Sequence, residues 1–141
     1  MTRDDVVRAV AESALSVEER LVFLELCEAR SAEDLLADQK RVRSYLGVIE
    51  KGMEDGNVPD GALAGPIAAT LIALLGHANE WAYIDRRLLA GAVEYFVRSD
   101  DADADFSSVH GLQDDGRVVA AVADALGRKD LVDQLRPLLR S

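Results

Sequence analysis

The chain has 141 residues, 26 acidic against 16 basic side chains, a formal net charge of -10 and a hydrophobic fraction of 49%. That is long enough for one domain with its own core and too apolar for wholesale disorder. The acidic balance argues against nucleic acid and anionic membranes as partners, because both repel it.

Helix starts are marked by hydroxyl–carboxylate pairs at capping spacing: Thr2 with Asp5, Ser16 with Glu19, and Ser31 with Asp34. In each pair the hydroxyl takes an orphan N–H three residues on, and the carboxylate reaches back. The negative charge also suits the positive end of the helix dipole. A first helix is expected over residues 3–14, with Val6, Val7, Val10 and Ala14 as its stripe. A second is expected over residues 17–29, with Val17, Leu21, Val22, Leu24 and Leu26 in apolar rows. The single cysteine, Cys27, falls on that pattern and reads as a small buried hydrophobe. It has no partner for an intramolecular disulfide, and nothing in the sequence places His77 or His110 beside it as an activating base.

A third helix, over residues 32–53, has Leu35, Val42, Leu46, Ile49 and Met53 at intervals of three, four and seven, joined by Leu36 and Tyr45. Lys40, Arg41 and Arg43, with Arg30 before them, form the only basic cluster. No aromatic side chains follow it as a stacking platform for bases, so it reads as a solvated helix face. Asp55, Gly56 and Asn57, then Pro59, Asp60 and Gly61, are turn chemistry.

Residues 61–78 are uncharged, the one stretch that raises the question of a membrane span. Gly, Pro and His residues interrupt it and acidic residues flank it, so a buried core helix over residues 66–77 is expected instead. Pro66 suits its first turn. Ile67, Leu71, Ile72, Leu74 and Leu75 make it apolar nearly all round, which marks it as a central helix. His77 closes that helix, where its expected role is to interact with the last carbonyls. With Glu80 and Asp85 it would form a polar edge. After a break at residues 76–80, a helix over residues 86–97 buries Leu88, Leu89, Ala92, Val93 and Phe96, while Ala90 and Gly91 admit a close neighbour. Val118, Val119, Val122 and Leu126 carry a further helix to a stop at Gly127. Residues 130–139 read as a short last helix interrupted by Pro137.

The string YFVRSDDADADFSSVHGLQDD, residues 95–115, resembles the loop region of the YkvA-like family, small bacterial helical domains of unknown function. Without a gap it keeps Tyr95, Phe96, Asp101, Asp105, Phe106, Gly111, Asp114 and Asp115 of that pattern. The family's loop prolines are replaced by Ser99, Ala104 and Ser108, and two apolar loop positions by Asp100 and Asp103. The resemblance covers about forty residues, 85–126 at its widest. It implies a helix–acidic loop–helix hairpin and no known reaction.

Six aspartates lie between residues 100 and 115, with no Lys or Arg among them. Their mutual repulsion calls for something that offsets it. One answer is structural: Asp114 caps the next helix, Asp115 faces its dipole, and Asp101 and Asp105 close turns. Arg86, Arg87, Arg98 or Arg117 would pair with the rest. The other is a Ca²⁺ or Mg²⁺ site from Asp101, Asp105 and Asp114 or Asp115. Asp101, Asp103 and Asp105 have the one-three-five spacing of a calcium loop, but Phe106 and Leu112 stand where an EF-hand needs Gly and Glu. No catalytic motif is present.

The expectation is therefore an all-α, single-domain bundle of six or seven helices, in which residues 1–54 pack on the hairpin of residues 85–126. With no apparent signal segment or span, a cytoplasmic location is expected. The leading functional expectation is a non-enzymatic interaction or scaffold module with a protein partner or a second copy of itself. The alternatives are a cation-responsive module and a carboxylate- and histidine-dependent enzyme.

Overall fold

The computed structural model describes residues 27, 28, 30–54, 61–97 and 111–139, and among them the regular structure is entirely helical. The expected first helix, residues 17–26 of the second, the turn at residues 55–60 and the acidic loop at residues 98–110 lie outside the described residues.

The first described helix, α1 (Ala32–Glu54), begins where the capping pair places it. Ser31 Oγ accepts the Asp34 N–H at 3.1 Å, so one orphan donor of the first turn is satisfied. Leu35, Asp38, Val42, Tyr45 and Ile49 are its buried positions. They recur at intervals of three and four and so form one stripe. Leu36 and Leu46 pack at its margin, as their spacing predicts.

A 3-10 turn (Gly61–Leu63) leads into α2 (Ala64–Gly76). Ile67, Ala68, Leu71, Leu74 and Leu75 are fully buried there. Helix α2 packs against α1 and against the helices that follow it, which accounts for its near-continuous apolar surface. It has 13 residues, too few to cross a bilayer, and among the described residues no helix is long and apolar enough to do so.

The expected break after α2 is a second 3-10 turn (Ala78–Glu80). Near the end of α2, carbonyls also accept from groups outside the helix. Gln39 Nε2 of α1 donates to the Ile72 carbonyl at 3.0 Å, and Trp81 Nε1 to the Leu74 carbonyl at 2.8 Å. The His77 backbone N–H also reaches Leu74 O, at 3.2 Å, while its ring pairs through Nδ1 with Glu80 Oε2. The expected interaction of His77 with the helix end is thus made by its backbone, and its side chain turns to the carboxylate three residues on.

Helix α3 (Tyr83–Val97) begins three residues before the expected start. All five apolar residues expected inside it are buried, as are Ala90 and Gly91. Phe96 meets Tyr45 of α1 edge to face, with ring centroids 4.9 Å apart, a geometry worth about 0.5–1.5 kcal/mol beyond burial. Helix α4 (Gly111–Ala125) packs against α3 and α2 through Val118, Val119 and Val122. It starts at Gly111, so Asp114 lies inside the helix and not at its cap, a correction to the capping role expected for it. At Gly116 an added Cβ would meet Leu139 Cδ2, the end of a side chain that would have to shift, and would lie in ordinary contact 3.6 Å from Ile67 Cδ1. Helix α5 (Lys129–Leu135) and a 3-10 turn (Arg136–Leu138) containing Pro137 complete the described chain. Buried side chains from all five helices belong to one continuous core cluster.

A second correction concerns the expected helix over residues 17–29. Cys27 and Glu28 are not helical. The Cys27 carbonyl is instead captured by Arg87 Nε at 3.0 Å, and the Arg30 carbonyl by Arg86 Nε at 3.3 Å. Cys27 is nonetheless buried, as its apolar surroundings in sequence predict.

Gly127 ends α4 with a φ of +80°. Its N–H reaches Asp124 O at 3.0 Å and the Arg128 N–H reaches Ala123 O at 2.9 Å, the bond pair of a Schellman cap. A side chain at that φ is strained. Gly127→Ala should therefore lower stability by about 1 kcal/mol, read from paired urea melts, with Gly127→Asn costing less.

Candidate functional site

The strongest concentration of chemistry among the described residues lies where α1, α3 and the chain before α1 meet. Asp38 is 2% exposed and Glu94 is 7% exposed, although carboxylates are rarely buried so deeply unless paired. Both are paired. Asp38 Oδ1 accepts from Arg30 Nη2 at 3.1 Å and from Arg41 Nη1 at 3.2 Å. Arg41 then reaches across to α3 with both terminal nitrogens, Nη1 to Glu94 Oε1 and Nη2 to Glu94 Oε2 at 3.2 Å. The guanidinium fork matches the carboxylate, which makes this a bidentate pair. Two arginines and two carboxylates leave the group neutral as a whole.

Local sequence explains each position. Asp38 lies in phase with Leu35 and Val42, so the helix turns it inward, and Arg41 stands one turn later on the adjoining row. Glu94 lies among Ala92, Val93, Phe96 and Val97 in a helix buried on nearly every side. Burial pushes the Asp38 carboxyl above its ordinary value of 3.8; Arg30 and Arg41 oppose the rise, and the Glu94 charge adds to it. The bond to Glu94, more than any other contact, holds the Arg41 guanidinium in its charged form. Asp38 Oδ2 and Arg30 Nε have no hydrogen-bond partner among the described residues, so the network is incompletely satisfied. The basic cluster at Arg30, Lys40, Arg41 and Arg43 is accordingly divided: Lys40 and Arg43 are exposed, as a solvated face requires, whereas Arg30 and Arg41 serve the buried carboxylates.

Cys27 is the nearest candidate nucleophile by sequence type. Burial pushes its thiol up to about 12, against the lowering effect of Arg87. A thiol so far above neutral pH is protonated and inert. His77 and Glu80 form an exposed pair at the end of α2, and neither joins the network.

The residues singled out from sequence divide in the same way. Asp101, Asp105 and Phe106 lie outside the described residues. Gly111 is the first residue of α4, and Asp114 follows it one turn later. Asp115 is buried at 1% exposure and makes an interaction of its own. Phe96 is fully buried and Tyr95 packs at the core margin, so the two aromatic residues anchor the end of α3. Arg86 and Arg87, offered as partners for the loop aspartates, donate to the Arg30 and Cys27 carbonyls before α1, and Arg86 also to the Trp81 carbonyl before α3. Among the described residues no three His, Cys, Asp or Glu side chains come together as a metal group. The buried network itself escaped the sequence reading. Its signal was an acidic residue in phase with an apolar stripe, at Asp38, and another inside an apolar run, at Glu94.

No family model matches this chain, and no curated protein or solved structure matches it.

Removing Arg41 takes the bidentate partner from the buried Glu94 carboxylate. Arg41→Met should cost about 2 kcal/mol, below the usual 3–5 for a fully buried pair because the Arg41 side chain is 43% exposed. Arg41→Met combined with Glu94→Leu should recover much of that loss in a double-mutant cycle of chemical melts. The Asp38 carboxyl should titrate above 3.8, followed by its side-chain carbon resonance. Because its folded value is raised, its protonation stabilises the fold fully below 3.8, and that contribution is lost as pH rises through the folded value.

Proposed function

We propose that this chain is a cytoplasmic, non-enzymatic interaction or scaffold module of the YkvA-like type, with six or seven helices and a C-terminal hairpin around the acidic loop. Its working surface is the outer face of α1, and its partner is a protein carrying acidic charge. A second copy of the chain supplies such charge in residues 100–115. One observation carries this reading: the buried ionisable groups are engaged in holding the fold. Asp38, Glu94, Arg30 and Arg41 bind one another, and Arg86 and Arg87 bind carbonyls. The outer face of α1 remains turned to solvent. Lys40, Arg43, Ser44, Gly47, Val48 and Lys51 are all exposed and recur at helical intervals on one side. Val48 is 51% exposed, an apolar point among small and cationic neighbours.

Size-exclusion chromatography with light scattering over a range of concentrations tests this directly. The expected result is association that weakens with added salt, since exposed charges are screened, and that is lost in Val48→Glu. A clean monomer at high concentration would remove self-association and leave only a heterologous partner.

The density of aspartates favours one second reading, a cation-responsive module using Asp101, Asp105 and Asp114 or Asp115 with Ca²⁺ or Mg²⁺. One ion at a hundred times its dissociation constant would add about 2.7 kcal/mol of stability. Thermal melts with millimolar ion and with EDTA should then differ, and the difference should vanish in Asp101→Ala. Coincident melts would leave the aspartates as turn and helix-end residues.

A further inference from the structure

The backbone at Cys27, Glu28 and Arg30 is held in an unusual way. It is not helical, and two of its carbonyls are taken by arginine side chains of α3: Cys27 O by Arg87 Nε at 3.0 Å and Arg30 O by Arg86 Nε at 3.3 Å. The Arg30 side chain is tied in turn to Asp38 of α1. Beneath this backbone the Cys27 side chain enters the core cluster at 3% exposure. The segment is therefore fastened by side chains to two helices, while each helix keeps its own ladder of backbone bonds. Cooperative units of a protein open separately where such ladders do not run through them. The fastening is also imperfect, because Arg30 Nε and Asp38 Oδ2 are buried without hydrogen-bond partners among the described residues. Unmet buried groups favour a state in which water reaches them.

We propose that the backbone at Cys27, Glu28 and Arg30 is a latch, closed by Arg86, Arg87 and Asp38, that opens while α1, α2 and α3 remain folded, uncovering the Cys27 thiol and the core surface beneath it. Arg86 is the bridge between the latch and the start of α3, because its Nη1 also holds the Trp81 carbonyl at 2.9 Å. Opening breaks the two carbonyl contacts and the Arg30–Asp38 pair. It leaves the fork between Arg41 and Glu94 intact, so α1 stays tied to α3.

The chain has one cysteine, so a thiol reagent reads this position alone. Closed, the thiol is both covered and protonated at neutral pH, so labelling by DTNB reports the open state. The experiment follows the DTNB rate on the full chain against urea concentration, with the far-UV circular dichroism melt in parallel. The expected result is labelling at low urea at least tenfold faster than global unfolding permits, with a much shallower urea dependence. Arg87→Met should raise the low-urea rate by a further tenfold or so while the helical signal is kept, the effect of losing one charge-assisted bond. Labelling that shares the full urea slope of global unfolding overturns the latch. So does an Arg87→Met chain that is folded and labels at the original rate. If Arg87→Met does not fold, Arg86→Met repeats that arm, and the urea slope of the unaltered chain decides independently.

Discussion

The position of α1 against α3 depends on Arg41. Its guanidinium is the group that Asp38 and Glu94 share, one from each helix. Taking carboxylates out of water costs several kcal/mol for each ion, and only close opposite charge with good hydrogen-bond geometry offsets this. Without Arg41 the two buried carboxylates would lose the cation they share, and Asp38 would keep Arg30. Networks of this kind add little net stability compared with a well-packed apolar substitute, yet they penalise every packing that separates the partners. The Tyr45–Phe96 contact lies on the same pair of helices and supplies apolar reinforcement for the same register.

Around that tie the architecture follows from a shortage of polar surface on α2. A helix buried on nearly every side cannot rely on water for its last carbonyls. Trp81, from the chain just before α3, supplies a donor to the Leu74 carbonyl there, and Gln39 of α1 adds a bond to the Ile72 carbonyl, so the end of the central helix is tied to its neighbours. At Gly116 the Leu139 side chain beyond α5 packs directly on the α4 backbone, in the space a Cβ would otherwise take. The interior is thus held by apolar contact, and its orientation is set by a small number of polar bonds at its edges.

The same division bears on function. The buried carboxylates Asp38 and Glu94 are paired with arginines that tie α1 to the chain before it and to α3, and the Cys27 thiol is held protonated by burial. The exposed side of α1 carries no such obligation. An interaction role needs only a rigid helix presenting a charged face, and α1 has the length and internal anchoring to provide one.

Much of this was legible in the residues themselves. The Ser31–Asp34 spacing marks the start of α1, Gly127 marks the end of α4, and the apolar intervals in residues 32–53, 66–77 and 86–97 select the positions that are buried. These features are local: a cap or a helical phase is decided within a few residues by backbone hydrogen bonds and a 3.6-residue turn. What the sequence could not decide is which charges lie inside and what answers them. Asp38 has the phase of a core residue, and its burial is offset by Arg30 and Arg41, while the Arg41 fork is completed by Glu94, 53 residues further along the chain. In the same way Cys27 and Glu28 continue an expected helical pattern, yet they are not helical, and the Cys27 carbonyl is taken by an arginine sixty residues further on. Pairing across such distances has no period and no spacing. It exists only once α1 and α3 are side by side, and that is the physical reason tertiary structure alone determined it.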